Sequence, residues 1–296
     1  MTAAFGRVAT AMVTPFDDDG EVDIDAAVAL ARFLVSEGNE GLVVAGTTGE
    51  SATLTIDEKL SLFEAIAAAV TVPVVAGTTG NNTRQDMGLT SEASSLGIAG
   101  ILVVAPYYNR PSQDGIEAHH RAIASVTDLP VMMYDIPKRT GRKVANDTLI
   151  RLATEVPNIV ALKDAAGDPS ETAKVIAACP ELEVYSGDSP MNLPLLAVGA
   201  VGVVGVCTHW AAPDHVQMLN SWAAGDIAAT QRHNRRLLES YLFEGNDDAP
   251  NPVQPKVMMQ TLGHAVGACR LPMGPAPAGT DAAARGVYER LVASRG

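Results

Sequence analysis

A chain of 296 residues with 47% hydrophobic content can bury one large core, and its size suits a single α/β barrel with an addition rather than two independent domains. Its 34 acidic against 21 basic side chains give a net charge of −13, which repels nucleic acid and anionic lipid and gives anionic substrates no long-range steering. Cys179, Cys207 and Cys269 lie far apart with no C-x-x-C pair, against a disulfide framework or a zinc cluster.

Eight short β-branched runs follow one another, at 8–16, 41–47, 72–78, 100–106, 130–136, 159–164, 183–186 and 202–206. They are continuous Val/Ile/Leu/Ala stretches rather than strict alternations, as expected of parallel strands covered on both faces. Helical patterns lie between them, at 57–70 with Leu60, Phe63, Ile66 and Ala67 on one face, and at 113–126. Eight strand–helix units of roughly 30 residues predict an α/β fold, a (β/α)8 TIM barrel over residues 1–225 that carries the active site. A doubly wound open sheet is the alternative, but no strand is followed by G-x-G-x-x-G. Beyond Gly225 the alternation stops. Segments 226–243, 255–265 and 280–294 read as helices of a C-terminal appendage, 226–296, packed on the barrel for structure or assembly. The N-terminal Met-Thr-Ala-Ala-Phe-Gly is not a basic region followed by an apolar core, and no apolar run reaches the ~20 residues needed to cross a bilayer. A cytoplasmic protein without membrane or nucleic-acid partners is expected.

Catalytic groups of such a barrel lie at the C-terminal ends of the strands. Lys163 interrupts the apolar strand Ile159-Val160-Ala161-Leu162, where burial disfavours the ammonium and moves its pKa toward neutrality, giving an amine able to attack a ketone. The plainer reading is a strand-end lysine paired with an acid, although Asp164 should face the other side of the strand. Thr47 and Thr48 sit between Gly46 and Gly49 on a turn that can hold a carboxylate through hydroxyl and backbone N–H groups, or can be an ordinary strand-to-helix turn with Glu50 in a capping role. Tyr108 and Tyr134 can shuttle protons or decorate the rim, and Arg139 can offer a forked donor pair to a carboxylate or stand solvated in its loop. The histidines His119, His120, His209, His215, His233 and His264 show no ligand spacing, so no metal is expected. Asp17-Asp18-Asp19-Gly20 lacks the later glutamate of a calcium loop and reads as a solvated turn.

Together, GTTGES at Gly46, PYYNRPSQ at Pro106, YDIPKRTG at Tyr134 and LKDA around Lys163 resemble the dihydrodipicolinate synthase family, in family order and spacing, over nearly the whole chain. The resemblance implies a pyruvate-dependent aldolase that condenses pyruvate with L-aspartate-4-semialdehyde in the diaminopimelate/lysine pathway, without an external cofactor, as a homotetramer of two tight dimers. It implies that Lys163 forms the imine with pyruvate, that Tyr134 donates and accepts the proton, and that Thr47 and Tyr108 complete the relay, with Tyr107 reaching across a dimer interface. Thr48 would bind the pyruvate carboxylate and Arg139 that of the semialdehyde, Val204 would line the pocket through its backbone, and Gly187 would leave room beside the imine. A sialic acid lyase or keto-deoxy sugar acid aldolase is the rival reading, disfavoured by Thr47 and Arg139. A catalytically silent barrel is a second rival, disfavoured because every candidate catalytic position holds a competent residue. Asp135 departs from the asparagine common after that tyrosine, but should point to the opposite strand face.

The same resemblance places a lysine-inhibitor site at Ser51, Ala52, Ile56, Lys59, Asn81, Gln85 and Tyr107. Lysine-sensitive members commonly have histidines where Ile56 and Lys59 stand and a glutamate at Gln85, so a degenerate allosteric site is expected.

Overall fold

The structure, a computed structural model, describes residues 3–295. Eight parallel strands close a barrel in sequence order. They are β1 (Val8–Ala11), β2 (Gly41–Val44), β3 (Val74–Gly77), β4 (Gly100–Val104), β5 (Val131–Asp135), β6 (Ile159–Asp164), β7 (Glu183–Ser186) and β8 (Gly202–Gly205). Around them run α1 (Ile24–Ser36), α2 (Ile56–Ala69), α3 (Thr83–Ala93), α4 (Gln113–Ala124), the single turn α5 (Pro137–Thr140), α6 (Asn146–Glu155), α7 (Pro169–Ala178), α8 (Asn192–Val198) and α9 (Thr208–Ala223). The helices start where the sequence offers a cap. Asp23, Asn82, Ser112 and Asp168 accept a backbone N–H of the following turn, and Thr55 with Glu58 forms a reciprocal capping box at α2.

Side-chain alternation along the strands separates two layers. Ala9, Ala11, Val43, Val75, Leu102, Met132, Tyr134, Ala161, Tyr185 and Val204 fill the barrel interior, whereas Leu42, Val44, Val131, Met133 and Leu162 face the helices. Lys163, two positions beyond Ala161, shares its inward parity and sits in register between Tyr134 on β5 and Tyr185 on β7. Asp164 and Asp135 have the opposite parity, as expected. Asp164 accepts from the Thr172 hydroxyl at 2.6 Å and the Ala166 N–H at 2.8 Å, and Asp135 pairs with Lys143 at 2.5 Å.

Most strands end earlier than their apolar runs. Those at 8–16 and 41–47 leave the ladder at Ala11 and Val44, and after β2 Ala45 turns to a φ of 52° as the chain breaks into a loop of the barrel mouth. The acidic stretch is a local turn in which Asp17 accepts from the N–H groups of Asp19 and Glu21. After Gly225 come α10 (Ile227–Phe243), α11 (Val253–Thr261) and α12 (Thr280–Ala293). They share a second apolar cluster with α9, built on Trp210, Met218, Leu237, Tyr241, Met258 and Leu291. The segments between these helices do more than pack. Asn251, Pro252, Pro272 and Met273 line the cavity at the barrel mouth. Among the described residues no helix is long and apolar enough to cross a membrane.

Candidate active site

Lys163 is buried, 4% exposed, with Nζ 4.4 Å from the centre of the Tyr134 ring. Burial pushes its pKa down to about 7, the Glu244 carboxylate pulls it back up, and the Arg139 guanidinium lowers it further. A substantial share of the group is therefore free amine near neutral pH, with its lone pair available to a carbonyl carbon. Gly187 has no side chain where the lysine stem passes: a Cβ there would stand 2.7 Å from Lys163 Cγ and 2.8 Å from Cε. The buried Val204 stands on β8 in the same interior layer.

Tyr134 is also buried, which pushes its phenol up to about 12, against the lowering effect of Arg139 and of a hydrogen bond with Thr47. It stays protonated at neutral pH, so it can donate a proton and recover it, the property a shuttle needs. Thr47 and Tyr134 line a cavity of about 270 Å³ together with Gly46, Ile136 and Arg139. Thr48 is buried beside them, and its hydroxyl oxygen accepts from the Asn251 side-chain amide at 3.0 Å. The backbone carbonyl of Asn251 in turn accepts from the Arg139 guanidinium at 3.0 Å. One C-terminal residue thus bridges the two candidate carboxylate binders. Nothing in the sequence pattern pointed to Asn251, because an Asn-Pro step between helices reads only as a turn.

Glu50, at a φ of 56°, stands before the short 3-10 turn Ser51–Thr53, and its backbone carbonyl accepts the Thr53 N–H at 2.9 Å, but its side chain makes no cap. Its carboxylate is buried, with Oε1 2.7 Å from the Lys256 ammonium and Oε2 accepting the Arg270 N–H at 2.9 Å. The Lys256 contact lies outside hydrogen-bond direction and is an ion pair by distance.

The two tyrosines after Pro106 part company. Tyr107 is half-buried and lines the chain's own cavity, whereas Tyr108 is 90% exposed at a φ of 71° and does not line it. The relay written from the resemblance, with Tyr108 beside Thr47 and Tyr134, is not assembled within one chain, because successive residues of this loop point in different directions. Ser51, Ala52 and Tyr107 share the cavity with Thr47, Tyr134 and Arg139, whereas Lys163, Thr48, Gly187 and Val204 and the remaining inhibitor candidates Ile56, Lys59, Asn81 and Gln85 are not among its lining residues. Asn81 donates to the Tyr107 carbonyl at 3.4 Å, and Gln85 lies exposed in α3. Ile56 and Lys59 stand in the first turn of α2, half-buried. Burial lowers the Lys59 pKa, opposed by the nearby Asp86 carboxylate, a neighbour the sequence pattern did not single out.

Comparison with known proteins agrees with this architecture. The model of the dihydrodipicolinate synthetase family matches residues 4–285. The chain is 46% identical over 276 residues to the 4-hydroxy-tetrahydrodipicolinate synthase of Bacillus subtilis (strain 168), covering 92% of this chain and 94% of that protein. The crystal structure of the Cyanidioschyzon merolae enzyme with lysine bound superposes with a TM-score of 0.95 at 40% identity, covering 98% of this chain and 99% of the other. The dihydrodipicolinate synthase of Bacillus anthracis gives 0.93 at 39% identity, again over 98% and 99% of the two chains. The chain belongs to the dihydrodipicolinate synthetase family.

Proposed function

We propose that the chain condenses pyruvate with L-aspartate-4-semialdehyde to give 4-hydroxy-tetrahydrodipicolinate, in diaminopimelate and lysine biosynthesis. The observation that carries this reading is a buried lysine brought down to about 7, in a family whose relatives bear that enzyme's name, beside a phenol and two carboxylate binders. The Lys163 amine attacks the pyruvate carbonyl carbon, the carbonyl oxygen leaves as water, and an imine forms. The iminium withdraws electrons from the adjacent methyl group, which loses a proton and becomes a nucleophilic enamine. Its carbon attacks the semialdehyde's aldehyde carbon, and the resulting alkoxide takes up a proton. The substrate's own amine then adds to the imine carbon and expels Lys163, closing the ring and restoring the free enzyme. Tyr134 supplies and removes protons at these steps, with Thr47 as its hydrogen-bonded neighbour. Thr48 holds the pyruvate carboxylate, Arg139 that of the semialdehyde, and Val204 shapes the pocket wall.

Tyr108 can enter the relay only from another copy of the chain, and its exposed hydroxyl favours an assembly in which that tyrosine crosses the interface while Tyr107 stays at home. In this reading residues 1–225 are the catalytic barrel, residues 226–296 are an appendage that closes its mouth, and the working unit is at least a dimer within a tetramer. The Lys163→Ala variant tests the mechanism. With pyruvate and borohydride the parent chain acquires a covalent adduct on Lys163 and the variant acquires none, while turnover in an assay coupled to the following reductase collapses. Near-normal condensation by the variant overturns the reading. Cleavage of a keto-deoxy sugar acid with no condensation activity in the parent chain places it with the lyases instead.

A further inference from the structure

A lysine that must attack as the free amine works in proportion to how much of it is unprotonated, and a residue outside the barrel strands is placed to set that proportion. Glu244 follows the last turn of α10. The residue as a whole is half-buried, yet its carboxyl end is enclosed: Oε2 accepts the Ser189 hydroxyl at 2.7 Å and the Cys207 N–H at 3.3 Å. Ser189 lies two residues beyond Gly187, the glycine against which the Lys163 stem is packed, and Cys207 lies three beyond Val204. A carboxylate from the C-terminal region is thereby fastened to the ends of β7 and β8, next to the strand that carries the nucleophile.

We propose that Glu244 is a positioning residue for Lys163, whose carboxyl, anchored by Ser189 and Cys207, controls how much of the lysine is free amine. The inference rests on the Lys163 imine proposed above. No bond is made or broken at Glu244; its charge acts on the ammonium through space, and the two groups form no ion pair within 4.0 Å among the described residues. When Glu244 is ionised it favours the ammonium, and when it is protonated it releases the amine. Burial brings the carboxyl up to about 7, so both states are populated in the range where Lys163 itself titrates.

The other groups facing the pair are few. Asp188, itself 3.7 Å from the Lys138 ammonium, raises the Glu244 pKa, and Ser189 and Cys207 lower it. The Cys207 thiol is pushed well above its ordinary value by burial and by Glu244, and Tyr241 is raised by burial with Cys207, Glu244 and Asp214 adding to it. Both therefore stay neutral. His215, 3.8 Å from the Cys207 sulfur, is lowered by burial and is neutral as well. On the lysine side Tyr134, raised by burial, stays neutral, the Arg139 guanidinium faces both Tyr134 and Lys163, and Asp188 and Asp135 are the further carboxyls that act on Tyr134.

A clamp that merely ties α10 to the barrel would use the same two hydrogen bonds, and the pH profile separates the roles. The rate of borohydride-trapped pyruvate adduct on Lys163 is measured from about pH 5.5 to 9 for the parent chain, Glu244→Gln and Ser189→Ala. Glutamine keeps an acceptor for Ser189 but removes the charge, so the midpoint of the acid limb moves to lower pH by about one unit, a tenfold gain in free amine below it. Ser189→Ala withdraws a bond from the ionised carboxylate, raises the Glu244 pKa, and moves the same midpoint down by less. If Glu244→Gln fails to fold, Ser189→Ala decides alone. Lower adduct yield or melting temperature with an unmoved midpoint overturns the proposal and leaves a clamp. Absence of any adduct in the parent chain sinks the imine reading itself, which is a different result.

Discussion

Substituting Gly187 by alanine tests whether Lys163 works through its placement or merely through its presence. The added Cβ would lie 2.7 Å from Cγ and 2.8 Å from Cε of Lys163, against the ~3.5–4.0 Å at which carbon atoms rest. The backbone cannot retreat, because the Gly187 N–H donates to the Asp164 carbonyl at 2.7 Å and Asp164 is itself fastened to Thr172. The lysine stem must move instead, by roughly 1 Å, and a displacement of that size at a reacting group costs about 10²-fold in rate. Stability is the smaller issue. Overpacking of one methyl costs ~1–3 kcal/mol, which a fold of ordinary stability survives, and Gly187 has no positive φ to add strain. We expect the melting temperature to fall by a few degrees while the rate of pyruvate adduct formation drops about a hundredfold. A variant that forms the adduct at the parent rate would show that Lys163 tolerates displacement and that Gly187 is incidental.

Three further outcomes follow from the mouth of the barrel. Arg139→Ala should raise the apparent KM for the semialdehyde more than that for pyruvate, since a lost charge-assisted contact costs ~1.5–3 kcal/mol; an equal rise for both contradicts the assigned role. Asn251→Ala removes the amide that donates to Thr48 but keeps the backbone carbonyl that holds Arg139, so pyruvate binding should weaken by about two- to tenfold with the semialdehyde spared. The opposite pattern in steady-state kinetics would reverse the roles of the two binders. Lysine should inhibit only beyond the millimolar range, because Ile56 offers no hydrogen bond, Lys59 repels a cation and Gln85 carries no charge, each lost charged contact being worth ~1.5–3 kcal/mol. Half-inhibition at submillimolar lysine in an initial-rate titration would refute this.

The barrel was legible because its signal is local and repeated. Each buried strand announces itself as an apolar run, and the two-residue parity that sends Lys163 and Tyr134 inward and Asp164 and Asp135 outward is a property of any strand. The loops were less legible. Nothing in Tyr107-Tyr108 says which ring turns into the cavity, since that depends on a left-handed residue in the loop rather than on composition. Glu50 looked like a cap because an acid after a turn often is one, yet its partner Lys256 lies 206 residues away in the chain. Asn251 and Glu244 escaped for the same reason. Each is an ordinary polar residue at a helix boundary, and its meaning comes only from the strand end it meets.

Those distant contacts explain why a chain that already has a closed barrel needs its C-terminal region. Thr48 follows β2 and Arg139 follows β5, two strands that are not neighbours in the barrel, so no ladder fixes the distance between the two proposed carboxylate binders. Asn251 spans that gap with a side-chain bond to one and a backbone bond to the other. The turn bearing Thr47 and Thr48 is braced further along by Glu50, whose buried carboxylate meets Lys256, and Lys256 lies 4.0 Å from the Phe16 ring and donates to the Ala268 carbonyl at 3.0 Å. A buried pair of this kind adds little net stability while intact, but losing one partner strands a charge at ~3–5 kcal/mol. It therefore acts as a lock: configurations of the turn that separate Glu50 from Lys256 are costly, so the hydroxyls of Thr47, proposed for the proton relay, and Thr48, proposed to hold the pyruvate carboxylate, keep their places beside Tyr134 and Asn251.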